Sequence, residues 1–272
     1  EVILKKGIVK AAARAGKVAT EGEVRALVGE GGQRGVIVEV NTQTDFVARG
    51  DAFKEFVTHV AVVASRLEKG ADLAGHKYPG TDKSIDQVRQ ELTSKTGENT
   101  VVRRWANLEA KEANGLVHAY VHMGGKLAVI LHAEAPTADA RKNSAFTTFV
   151  DNCAMQIAAM NPMVVTKDQV EASTVAKQKE IYEAQLKEEG KPEAAWPKIL
   201  DGKVNKWFTE VTLLGQDNVW DPGKGTIDAL RVALGKELGG EVKLHSFVRF
   251  GLGDGIEKKV EDLAAEVAKL TQ

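Results

Sequence analysis

Two β-rich runs, "VRALV" (24–28) and "VIVEV" (36–40), flank Gly31-Gly32, a pattern that predicts a β-hairpin. After a polar loop, Phe53, Phe56, Val57, Val60 and Ala64 recur at spacings of three and four, the period of an amphipathic helix. The same succession returns 93 positions later without a gap. "VHAYV" (117–121) falls on the first run, Gly124-Gly125 on the glycine pair, and "VILHA" (129–133) on the second run. Phe146, Phe149, Val150, Cys153 and Ile157 then repeat the helix face. A third strand is expected after each copy, in "NTVVRRWANLEA" (99–110) and "EVKLHSFVRFG" (241–251). Hairpins with a helix on one face make small antiparallel units. The expected fold is therefore α+β, built from two internally repeated subdomains.

Between the second helix and its third strand lies an insertion, residues 166–211, that reads as two helices broken at Gly190-Lys191-Pro192. The second carries Trp196, Ile199, Leu200, Val204, Trp207, Phe208 and Val211; the first contributes Val170, Ile181, Tyr182 and Leu186. An antiparallel helical hairpin, or coiled coil, is expected, its apolar stripe covered by the sister helix, another subunit or another protein. The chain closes on Ile256, Val260, Leu263, Val267 and Leu270, one face of an amphipathic helix. The expected division is a linker helix (1–20), a first subdomain (21–110), a second (111–165 with 212–258), the insertion (166–211) and a C-terminal helical module (259–272).

The chain has 272 residues and a formal net charge of −1. That size bounds it to one large or two modest domains. A duplex nucleic-acid binder carries a clear basic excess to neutralise phosphates, which this chain lacks. Arg103-Arg104 reads as one inward and one outward strand position. The single cysteine, Cys153, excludes an internal disulfide framework and reads as a buried apolar thiol. No window approaches the roughly 18 apolar residues of a membrane span. The chain begins without methionine, and an N-terminal piece is expected to precede it.

Enzyme chemistry finds little purchase. In "FVRFGLGDGIEKK", Ile256 stands where a dinucleotide fingerprint needs its third glycine. "PGKGT" (222–226) lacks the Ser/Thr that follows the lysine of a phosphate loop. The six histidines give no metal constellation and read as surface or strand-face residues: His118 and His122 share a strand face but stand roughly 13 Å apart. No nucleophile–base arrangement stands out, so a non-enzyme is expected, with no cofactor of its own.

"NTQTDFVARG" (41–50) reads as a turn, with Asp51 as the N-cap of the helix after it. Phe46 in such a turn either anchors the turn to its own core or waits for another molecule. The sister segment "EAPTADA" (134–140) has no aromatic, so Phe46 is an addition to one copy, and both readings stay open.

"EVNTQTDFVAR" (39–49) resembles the signature of the elongation factor Ts family, nucleotide-exchange factors for elongation factor Tu. "KKGIVKAAARAGKVATEG" (5–22), "KTGENTVVRR" (95–104), "TLLGQ" (212–216) and "FVRFGLGDGIEKKVEDLAAEV" (247–267) continue the likeness in order. Two departures stand out: Thr42 replaces the more usual Cys, Ser or Val, and Thr96 replaces a larger aliphatic. The likeness starts after the family's N-terminal ubiquitin-associated-like domain, which is expected to be lacking here. The resemblance implies a partner, elongation factor Tu, contacted by Thr44, Asp45, Phe46, Val47, Thr96 and Gly97. Asp45-Phe46 would press near the partner's bound Mg²⁺ and release its GDP. It further implies bacterial cytosol, a homodimer or 2:2 complex through the coiled coil as a possible assembly, and neither nucleic acid nor membrane as partner. The competing expectation is an adaptor that self-associates through the insertion.

Overall fold

In the computed structural model, residues 16–257 are described. They form an α+β fold with two three-stranded antiparallel sheets and, among the described residues, seven α-helices. The first sheet joins β1 (Glu21–Val28), β2 (Arg34–Thr42) and β3 (Val101–Glu109), with β2 in the centre. Between β2 and β3 lie α1 (Asp45–Arg49), α2 (Asp51–Ala64) and α3 (Ile85–Thr96). The second sheet joins β4 (Gly115–His122), β5 (Leu127–Glu134) and β6 (Lys243–Gly251), with β5 in the centre. Between β5 and β6 run α4 (Ser144–Met160), α5 (Ala172–Glu188), α6 (Trp196–Val211) and α7 (Ile227–Leu238).

Period-two alternation decides which side chains meet. On β2, Val36, Val38 and Val40 face α2 and pack with Phe53, Phe56, Val57 and Val60. On β5, Val129, Leu131 and Ala133 do the same with Phe146, Val150, Cys153 and Ile157 of α4. The opposite faces meet each other: Val24 and Ile37 from one sheet pack with Val117, Ala128, Ile130 and Phe250 from the other. The result is four layers, helices outside and sheets within. The sheets also touch through backbone, where the Val24 amide donates to the Gly125 carbonyl at 2.7 Å. Gly125 has φ 93°, and a Cβ there would come within 2.6 Å of Glu23 Cγ, so only glycine allows this approach.

Each sheet carries a β-bulge in its third strand: Arg103 of β3 is the extra residue opposite Glu39 and Val40, and His245 of β6 the extra residue opposite His132 and Ala133, the central-strand positions again 93 apart. A bulge sets two residues of one strand against one of the other and breaks strict alternation. The expected inward–outward split of Arg103 and Arg104 fails for this reason: both guanidinium groups reach the buried Glu39 carboxylate. Burial alone would push the Glu39 carboxyl up, but the Gly253 amide, Arg104, Arg103 and Asn41 outweigh it and hold it below its usual range.

Two helices that periodicity passed over are framed by their ends. Ser84 and Gln87 form a capping box at the start of α3, and Gly97 ends it in the left-handed region at φ 81°. Thr226 caps α7, and Gly239 ends it at φ 78°. Arg89 and Arg231 each donate to a carbonyl eleven residues on, Thr100 and Val242.

Helices α5 and α6 pack on each other as a hairpin, turning at Gly190. Lys203 Nζ lies 5.3 Å from the Tyr182 ring centroid, and Leu186, Val204 and Trp207 are buried. Ile181, expected among the contacts of α5, is exposed. Of the linker-helix expectation, residues 16–20 are described and form a turn, a bend and irregular chain, not a helix. Residues 1–15 and the C-terminal helix expected over 259–272 lie outside the described residues. Among the described residues no helix is long and apolar enough to cross a membrane.

Candidate partner-binding site

The β2 strand ends at Thr42, and the chain does not form the expected open turn. Thr44 is extended (φ −120°, ψ 153°), and its Oγ1 accepts from the Val47 amide at 3.3 Å, so Thr44 caps α1. Asp51 is then the first residue of α2 rather than its cap, and Gly50 holds the cap position. Five residues make barely more than one turn, too short to stand alone. Two supports hold α1. Val47 and Ala48 point inward onto the α2–β2 core. From the other side, Glu98 accepts from the Thr44 amide at 3.0 Å, from Thr44 Oγ1 at 2.6 Å and from Thr42 Oγ1 at 3.0 Å.

Glu98 is placed by the end of α3. The left-handed Gly97 turns the chain back, its amide donating to the Thr93 carbonyl, while the Glu98 amide donates to Thr96 Oγ1 at 3.3 Å. The Thr96 hydroxyl in turn donates to the Leu92 carbonyl at 2.9 Å. Thr44–Val47 and Thr96–Gly97, some 50 residues apart in sequence, are thus brought side by side through one carboxylate. Sequence reasoning missed Glu98, although it stands inside "KTGENT"; a lone surface-type glutamate gives no sign of accepting three bonds.

Phe46 does not anchor its own turn. With 85% of its surface exposed, it contributes nothing to the core of this chain. Asp45 beside it is half-exposed and pairs with Arg49 across one helical turn at 2.8 Å. The loop is anchored by Val47, Ala48 and Glu98, and the aromatic is left over. An exposed aromatic on a fixed backbone has little ordering entropy left to lose on contact, the condition under which a binding anchor works best.

Elsewhere, His118 bonds Asp151 and His122 bonds Tyr120, as isolated strand-face histidines would. His132 and His245 do come together, with Glu112. The bulge in β5–β6 accounts for this, and one-dimensional spacing could not disclose it. Cys153 is fully buried, and burial pushes its thiol up, away from nucleophilic use.

A family model described as Elongation factor TS matches residues 43–254. Among curated proteins, the chain is 41% identical over 275 residues to "Elongation factor Ts" of Syntrophotalea carbinolica, covering 100% of this chain and 88% of that protein. It is 41% identical to "Elongation factor Ts" of Nitratiruptor sp., covering 98% and 87%. With that of Trichlorobacter lovleyi it shares 38%, covering 98% and 86%.

Proposed function

The chain belongs to the elongation factor Ts family of translation elongation factors, and on that premise we propose that it binds GDP-loaded elongation factor Tu and releases the nucleotide by inserting Phe46. The supporting observation is the fully presented aromatic on a backbone clamped from both sides. In this reading Thr44, Asp45, Phe46, Val47, Thr96 and Gly97 meet the partner's GTPase domain near its nucleotide. Guanine nucleotides are held by phosphate-loop amides and by Mg²⁺ bridging phosphate and protein oxygens. Mg²⁺ requires near-ideal octahedral geometry, so a small displacement of a helix beside it weakens the metal and the phosphate cradle together. The factor needs no covalent chemistry and no cofactor of its own for this step.

Magnitudes bound the wedge. Burying a phenylalanine contributes about 1.5–3 kcal/mol, and each tenfold loosening of GDP takes about 1.4 kcal/mol. Phe46 therefore supplies about one to two decades of coupling, and the remaining contact surface the rest. The coupling is reciprocal: a factor that weakens nucleotide is expelled when nucleotide rebinds, so GTP completes the cycle.

We further infer that the two sheet-and-helix halves are copies of one unit, spanning 21–110 and 111–165 with 212–258. The α3–β3 and α7–β6 segments match residue for residue: Ser84 with Thr226, Ile85 with Ile227, Arg89 with Arg231, Gly97 with Gly239. The hairpin at 166–211 is then an insertion into the second copy.

The deciding experiment is stopped-flow release of mant-GDP from elongation factor Tu. Phe46→Ala should leave the melting temperature unchanged, since the ring packs on nothing, and slow release about tenfold or more. Unchanged release by a folded variant ends the wedge reading.

A further inference from the structure

Two polar centres lie between the sheets, one beside each bulge. At the first, Glu39 is fully satisfied: two arginines, Asn41 and the Gly253 amide surround it. At the second the groups are matched for something else. The bulge in β6 sets His245 beside His132, their ring centroids 4.4 Å apart and the planes at 27°. Glu112 reaches the pair from the turn between β3 and β4, the connection between the two sheets. Its Oε2 stands 3.3 Å from His132 Nε2. Both atoms are shut off from solvent, and beyond this one long contact with each other neither has a hydrogen-bond partner. His132 itself is only 8% exposed. Buried polar atoms of native proteins are satisfied almost without exception, and an imidazole and a carboxylate joined only by one long contact keep bonding capacity for a third party. One donor atom from each of Glu112, His132 and His245 lies within 4.8 Å of the others.

We propose that Glu112, His132 and His245 form a binding site for a divalent transition-metal ion, zinc foremost, that ties the turn after β3 to the β5–β6 sheet. The donor set, two imidazole nitrogens and a carboxylate oxygen, is one that zinc accepts. Two donors on one tetrahedral zinc, each with a bond of about 2.0–2.2 Å, stand about 3.3 Å apart. The His132–Glu112 pair already has that separation. The third donor, on His245, lies within 4.8 Å of both, and Glu112 sits half-exposed on a turn. Glu134 supplies the outer support: its Oε2 is 2.8 Å from His245 Nε2, and Lys243 Nζ is 3.4 Å from its Oε1. Carboxylates in that position orient ligating histidines. The bound ion would stabilise the folded chain by mass action, because the unfolded chain has no preformed site. This inference is independent of the exchange reading.

The full chain, stripped with chelator, is titrated with Zn²⁺ alone against a chromophoric competitor and melted with and without the ion. One equivalent should bind, and the melting temperature should rise. His245→Asn and Glu112→Gln, both at partly exposed side chains, should melt as the metal-free protein does and bind about 30-fold or more weakly. His118→Asn should bind as the unaltered chain. His132→Asn should abolish binding, and its folding is read by circular dichroism. Failure to bind one equivalent at micromolar zinc would overturn the site. So would binding that His245→Asn and Glu112→Gln leave unchanged.

Discussion

Phe46 and Glu39 are opposite uses of one side chain. Phe46 is free of its own fold, so its removal is a functional probe without a stability effect. Glu39 is buried and serves the fold alone. Its folded carboxyl lies below the ordinary glutamate range, so across the window between folded and unfolded values the unfolded chain binds more protons. Its contribution is therefore fully present above the ordinary glutamate value and fades as pH falls through the folded one. Glu39→Gln leaves two guanidinium groups without their carboxylate and should destabilise the protein by about 3 kcal/mol at pH 7. Denaturant melts from pH 7 down to pH 3 should show the gap to wild type narrowing; a gap that stays constant would mean that charge is not what Glu39 contributes.

The elements themselves fall into those that patterning exposes and those that local chemistry creates. Strands and long helices announced themselves because each has one face in a core, and Val36, Val38 and Val40 or Phe53, Phe56 and Val60 cannot hide that period. The short α1 has no period to show, since five residues turn too few times; its cap at Thr44 went unread, and the cap was placed at Asp51 instead. The α3 capping box, Ser84 to Gln87, was readable but has a mostly polar helix behind it. Bulges leave no mark in composition, which is why Arg103, Arg104 and the His132–His245 pair were misplaced. Glu98 was invisible as a site residue because its role depends on where α3 stops. The hairpin α5–α6 buries Leu186, Val204 and Trp207 largely within itself, and its base is held where the Leu213 amide donates to the Val164 carbonyl. Deleting residues 170–208 and closing the gap with a short glycine linker should therefore leave the core melting within about 5 °C of the full chain. A collapsed melt would make the hairpin part of the core, and a change from dimer to monomer in light scattering would give it a role in self-association.

Across the molecule, the turn after each third strand closes over the polar centre of the opposite sheet. Glu112 follows β3 and reaches the second sheet's bulge; Gly253 follows β6 and donates to Glu39 of the first. Neither half finishes its own interior. Produced separately, residues 1–113 and 114–272, a cut that leaves Glu112 with the first sheet, should each give poorly dispersed amide spectra, and mixing them should restore the dispersion of the intact chain. Two well-dispersed halves that ignore one another would refute this reciprocity. Like a clasp with a hook on either plate, the arrangement makes a break in the peptide between the halves survivable and the loss of one half ruinous.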